Sequence, residues 1–111
     1  METRTRKEKN ATVVSVKGRM DAVSSPEFEK QLSELIGQGE KDFVIDLGEL
    51  EYLSSAGLRV ILVTVKHLKE KEGELFLCAL KDMVKEVFEI SGFGAIIPVY
   101  DSVESAISHM P

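Results

Sequence analysis

The six residues Asp42–Leu47, DFVIDL, form an apolar, β-branched run with no room for a helix, the pattern of a central strand buried on both faces. Such a strand requires neighbours that cover it, and the flanking sequence supplies two amphipathic helices. Upstream, SSPEFEKQLSELIGQG carries helix punctuation. Ser25 fits a cap, Pro26 the first helical position, and Gly37 or Gly39 the end. Phe28, Leu32, Leu35 and Ile36 fall on one apolar face. Downstream, LRVILVTVKHLKEKEG is rich in β-branched residues, yet its length to Gly73 exceeds an ordinary strand. Its polar, cationic end and closing glycine read as a helix C-terminus, with Leu58, Ile61, Leu62, Val65 and Leu68 in one stripe.

The remaining segments repeat this alternation. TVVSV is a strand, and the charged TRTRKEK before it pairs as an exposed edge through a hairpin centred on Asn10. ELFLCAL reads as another strand, KDMVKEVFEISGFG as a helix with Met83, Val84, Val87, Phe88 and Ile90 inward, AIIPVY as a last strand, and DSVESAISHM as a short capped helix. The order β-β-α-β-α-β-α-β-α predicts one α/β domain over residues 1–111. Its mixed, mostly parallel sheet has about five strands, with four helices and right-handed crossovers. In such sheets the functional surface lies in loops after the carboxyl ends of strands.

Composition narrows the function. With 43% hydrophobic and 30% charged residues the 111-residue chain reads as a globular domain, and its net charge of −5 argues against nucleic acid, which requires a basic face. No apolar run approaches the roughly 18 to 20 residues of a membrane span, and METRTRKEKN has no secretory pattern, so a cytoplasmic protein with no membrane partner is expected. Cys78, the one cysteine, sits in an apolar stretch and reads as a buried structural thiol. His67 and His109 lack partners at ligand or catalytic spacing and read as solvated surface. No phosphate cradle or nucleophile elbow is present. No catalytic residue, metal or cofactor is therefore expected, and the chain does not read as an enzyme. Asp46, Glu49 and Glu51 cluster ahead of Ser54, but the expected strand end is Leu47-Gly48 rather than a carboxylate. Glu49 and Glu51 accordingly read as a solvated loop rather than a magnesium pocket.

EYLSSAGLRVIL, Glu51–Leu62, places two hydroxyls where one cap suffices. A serine there accepts a backbone N–H, worth about 1 kcal/mol. A second hydroxyl in the first turn would stand at the positive end of the helix dipole, where a phosphate is favoured, with Arg59 four residues beyond Ser55. From the residues alone, a simple cap and a phosphoserine site both remain open.

DFVIDLGELEYLSSAGLRVIL resembles the signature of the STAS family, typified by bacterial anti-sigma factor antagonists: an apolar strand, a spacer, then a hydroxyl-and-glycine turn opening an apolar helix. GRMDA, Gly18–Ala22, is similar to the family's other short signature, and the element order agrees along nearly the whole chain. The resemblance implies a module that binds an anti-sigma factor, itself a serine kinase, and so frees the sigma factor. It further implies that phosphorylation at the start of the second helix switches binding off and that a serine phosphatase restores it. Aligning Gly57-Leu58 with the family's glycine-leucine pair places the phosphoacceptor at Ser55, with Ser54 the second choice. The family usually has aspartate where this chain has Ser54, and a second hydroxyl or small residue where it has Ala56. Asp21 matches the acidic position of the first signature. The expected docking surface comprises Asp21, Glu49, Glu51, Ser54, Ser55, Ala56, Gly57 and Arg59, on a monomer. Two other readings within the family are a constitutive scaffold of a transporter or sensory complex, and a sensor whose helix N-terminus binds a nucleotide or other anion.

Overall fold

In the computed structural model, which describes residues 1–111, DFVIDL opens the middle strand of a five-stranded sheet. The elements are β1 (Glu2–Glu8), β2 (Ala11–Met20), α1 (Ser25–Gly37), β3 (Asp42–Leu53), α2 (Ser55–Glu70), β4 (Glu74–Cys78), α3 (Asp82–Ser91), a 3₁₀ turn (Phe93–Ala95), β5 (Val99–Tyr100) and α4 (Val103–Ser108). Strands lie in the order β1-β2-β3-β4-β5, with β1 antiparallel to β2 and the other pairs parallel. This is the mixed α/β architecture with four helices that the alternation of segments predicts. The hairpin pairs Glu8 with Ala11, so its turn falls at Lys9-Asn10.

Both faces of β3 are covered, as its apolar run requires. Phe43, Ile45 and Leu47 join the larger core, with Phe28 and Leu32 of α1, Ile61 and Leu68 of α2, and Val84 and Phe88 of α3. Val44 joins the smaller core on the other face, with Val13, Phe76, Cys78 and the α4 residues Val103 and Ala106. Burial pushes the Cys78 thiol up to about 12, with the Asp46 carboxylate reinforcing the shift. The thiol is neutral and structural, as the sequence suggests.

The elements differ from the sequence reading in five places. β3 runs to Leu53 rather than ending at Leu47, so GELEYL is strand and not solvated loop. β2 continues to Met20 and pairs with it along this length, while register shifts at Ser15/Lys17 and Gly18/Arg19 absorb the irregular spacing that keeps Leu47, Leu50 and Leu53 in the helix-side core. α1 begins one residue early: Ser24 occupies the cap position, and Ser25 is buried with Oγ donating to the Asp21 carbonyl at 2.5 Å. On α3, Val84 and Phe88 are buried and Val87 is half-buried, but Met83 (42% exposed) and Ile90 (79% exposed) lie outward. At 3.6 residues per turn, positions 83 and 90 fall outside the arc occupied by 84 and 88.

At the last strand, AIIPVY narrows to Val99–Tyr100, because Pro98 lacks an N–H and contributes only its carbonyl, which accepts from Leu77 N. At the end of α2, Glu72 (φ 58°) takes the left-handed position and Gly73 closes the cap, its N–H donating to the Leu68 carbonyl at 2.8 Å. A Cβ on Gly73 would stand 2.1 Å from the Lys41 carbonyl oxygen, so glycine permits the chain to pass at the start of β4. No helix is long and apolar enough to cross a membrane.

Candidate functional site

Parallel pairing of β2 and β3 puts Met20 opposite Leu53, so the loops that follow both strands leave the sheet side by side at its carboxyl edge. The bond from Ser54 N to the Met20 carbonyl, 2.9 Å, ties the two exits together. Ser54 has extended geometry (φ −86°, ψ 169°) and caps α2, its Oγ accepting from Gly57 N at 3.2 Å. Its carbonyl accepts the first helical bond, from Leu58 N at 3.0 Å. Ser55 is the first residue of α2 and is exposed; Ala56 is half-buried; Arg59 is exposed one turn further along. The two hydroxyls thus differ in engagement, one spent on the backbone and one presented to solvent.

Gly57 is buried, and a Cβ on it would lie 2.8 Å from both Leu53 Cδ1 and Met20 Sδ. Its bareness serves the packing of the α2 turn onto the ends of β2 and β3, not a surface contact. Leu58 and Ile61 carry that packing into the helix-side core.

Asp21 directs its Oδ1 into its own loop. That oxygen accepts from Val23 N at 3.0 Å and Ser24 N at 2.9 Å, and lies 3.0 Å from the Ser24 hydroxyl. The Asp21 carbonyl accepts from Ser25 N at 2.9 Å. The Ser24 bonds, then Val23 N and the Arg19 charge, hold the carboxyl below its ordinary value. Asp21 organises the approach to α1, an Asx turn in which Val23 occupies the tip. Sequence reading placed Asp21 at this edge but missed Met20, Val23 and Ser24. The available signal was aspartate followed three residues later by serine, just ahead of Pro26.

Glu49 and Glu51 stand on β3, ahead of the Ser55 turn. Leu50 between them takes the helix side of β3, and the two carboxylates line a groove of about 450 Å³ with Lys17, Gly18, Lys81 and Asp82. Near them Arg19 lies over the Tyr52 ring, 4.2 Å from its centroid. A larger cleft of about 530 Å³, lined by Leu80, Lys85, Phe88, Glu89 and Val99 among others, opens between α3 and β5.

The chemistry available at Ser55 is that of an exposed alcohol. His67 is exposed near the other end of α2, about 18 Å along the axis at 1.5 Å per residue. His109 stacks on Tyr100 beyond α4, with ring centroids 4.7 Å apart. No group of three His, Cys, Asp or Glu is placed to hold a metal ion.

A five-stranded mixed sheet with four helices, its middle strand running directly into α2, is the architecture of the STAS domain. Residues 2–106 match the model of that family, and the chain belongs to it. It is similar to BtrV of Bordetella bronchiseptica, itself provisionally assigned as an anti-sigma factor antagonist: 46% identical over 94 residues, covering 85% of this chain and 81% of that one. The anti-sigma-B factor antagonist of Staphylococcus aureus is 30% identical over 91 residues, covering 82% of this chain and 84% of its own. Among solved structures, an anti-sigma factor antagonist from Mycobacterium paratuberculosis superposes with a TM-score of 0.90 at 25% identity, covering 98% of this chain and 92% of that one.

Proposed function

We propose that this protein is an anti-sigma factor antagonist whose unmodified form binds an anti-sigma factor through the Ser55 edge and so frees a sigma factor. The partner is a serine kinase that transfers the γ-phosphoryl group of ATP to Ser55 Oγ; the hydroxyl proton passes to a base on the kinase and ADP leaves. A serine phosphatase reverses the modification. The observation that carries this reading is the exposed Ser55 hydroxyl at the first turn of α2, beside a serine already committed to the cap. The names borne by the Bordetella and Staphylococcus relatives support it. Serine at position 54, where the family resemblance implies aspartate, preserves the capping geometry, since both side chains cap.

A phosphate on Ser55 gains the positive end of α2 and comes within a turn of Arg59, so the fold tolerates it. The switch works by setting a bulky dianion into a contact that must lose water. In this reading the Ser55 edge serves as a kinase substrate and a binding surface. Incubation with the cognate kinase and ATP followed by peptide mapping tests the assignment. The label is expected on Ser55 and absent from Ser55→Ala; an undiminished label on that variant overturns the assignment, and a label on Ser54 moves it by one residue.

A further inference from the structure

Val23 is the most exposed large apolar side chain of the protein, at 88%. Met83, Ile90, Ile96 and Val99, also exposed, belong to the α3–β5 flank, whereas Val23 stands on the loop that adjoins the Ser54 turn. A lone surface valine is ordinary. This one is held rigidly: its own N–H and that of Ser24 are bonded to Asp21 Oδ1, and both the N–H and hydroxyl of Ser25 are bonded to the Asp21 carbonyl. The loop is joined in turn to the phosphoacceptor turn through Ser54 N and the Met20 carbonyl. Ala22 beside it is exposed. On α2, half-buried Ala56 and Val63, the latter 45% exposed, lie two turns apart on one side of the helix with exposed Arg59 between them.

We propose that Val23 is the apolar anchor by which the anti-sigma factor partner grips this edge, seated in an apolar depression of that partner, with Asp21 as the positioning residue that holds it. The inference rests on the functional reading of the Ser55 edge and adds the residue that fixes affinity there. A valine has one side-chain torsion, and its backbone is already ordered by the Asx turn. Docking it therefore sacrifices little conformational freedom while removing apolar surface from water. Its continuity with the Ser55 turn also explains the switch: a phosphate at Ser55 lies on the rim of the same desolvated contact and prevents the valine from seating. The remainder of the edge then acts as a surround that excludes water, the usual setting of a small number of dominant contacts.

The test is a calorimetric titration of the purified cognate anti-sigma kinase with the unmodified protein and with Val23→Asp, Val23→Thr, Ser55→Asp and Val99→Asp. Val23→Asp is expected to weaken binding by about tenfold or more, and Val23→Thr, which keeps the shape, by about threefold. Val99→Asp, on the opposite flank of the sheet, is expected to bind like the wild type. Wild-type affinity in both Val23 variants, or an equal loss in Val99→Asp, overturns the anchor. Should Val23→Asp alone disturb the fold in a melting scan, the threonine variant decides by the same criterion. Loss of binding in Ser55→Asp with both Val23 variants unaffected overturns the anchor and leaves the functional reading standing. A wild-type protein that does not bind the kinase overturns both. Asp21→Asn keeps an oxygen acceptor for the loop, whereas Asp21→Ala removes it. A positioning role predicts that asparagine retains most of the affinity and alanine loses it, and equal losses overturn that role.

Discussion

The backbone N–H of Ser54 donates to the carbonyl of Met20 at 2.9 Å, although 34 positions separate the two residues in sequence. That bond crosses from the exit of β3 to the exit of β2 and makes one surface from two loops that each carry a short signature. Met20 is fully buried, and its thioether also lies against the bare Cα of Gly57, so the edge is braced from beneath as well as across. The coupling makes local substitutions readable as either stability or recognition effects, since buried members of the set bear on one and exposed members on the other.

Gly57→Ala belongs to the stability group. Alanine gains up to about 1 kcal/mol in helix propensity over glycine. Its Cβ must nonetheless displace Leu53 Cδ1 and Met20 Sδ, each 2.8 Å from the ideal position and each on a buried side chain. Overpacking of this kind costs about 1 to 3 kcal/mol, so a net loss of about 1 kcal/mol is expected, lowering the melting temperature by about 4 to 8 °C. An unchanged or raised midpoint would show that the edge repacks freely.

Ser54 separates capping from phosphorylation. Ser54→Ala removes the acceptor for Gly57 N and should destabilise the protein by about 1 kcal/mol in denaturant unfolding. Ser54→Asp restores an acceptor and adds favourable charge at the positive end of α2, and should be at least as stable as the wild type. Equal destabilisation by both variants would place the role of Ser54 outside the cap.

Ser55→Asp tests the exposed hydroxyl. An acidic residue in the first helical turn is favoured by the dipole, so the melting temperature should hold within a degree or two while partner affinity falls by about tenfold, about 1.4 kcal/mol. Parallel binding and melting measurements check this. A fall in stability that accounts for the lost affinity would reject a local switch.

The fold was legible because hydrophobic period and punctuation agree along most of the chain: DFVIDL, Ser25-Pro26 and the apolar stripe beginning at Leu58 each point to one element. GELEYL was not, because Gly48, Glu49 and Glu51 carry loop composition and only pairing with the full length of β2 makes the segment a strand. Glu49 and Glu51 were read as loop residues ahead of the Ser55 turn, whereas the strand sets them along a groove with Lys17 and Lys81. Met83 and Ile90 were misplaced for a related reason, as a ten-residue helix has room for few inward positions. At the site, the cap of Ser54 was readable from local chemistry. The bond to Met20 depends on parallel register, which no local pattern encodes, whereas the display of Val23 follows from the local turn that Asp21 closes.

Acid sensitivity should reside partly in the hairpin end of the molecule, away from the Ser55 edge. The Glu40 carboxylate is paired with the Lys7 ammonium of β1 and accepts from Thr12 Oγ1 of β2 at 2.7 Å, which fastens the α1–β3 connection to the first two strands. The Lys7 bond, followed by that from Thr12, holds its carboxyl below the ordinary value of 4.5. A carboxyl lowered on folding stabilises the native state above its unfolded value, and that contribution disappears as the pH falls through the folded one. Asp21, held below 3.8 by the Ser24 bonds, acts in the same direction. Stability should therefore decline on acidification from about pH 5. In Glu40→Gln the Glu40 share is absent throughout: the variant should be less stable than the wild type at pH 7, and the gap should close as the pH approaches 3. Denaturant midpoints of both proteins between pH 7 and pH 3 measure it. A gap that stays constant over that range would show that the Glu40 charge does not contribute, leaving only side-chain packing to account for the difference.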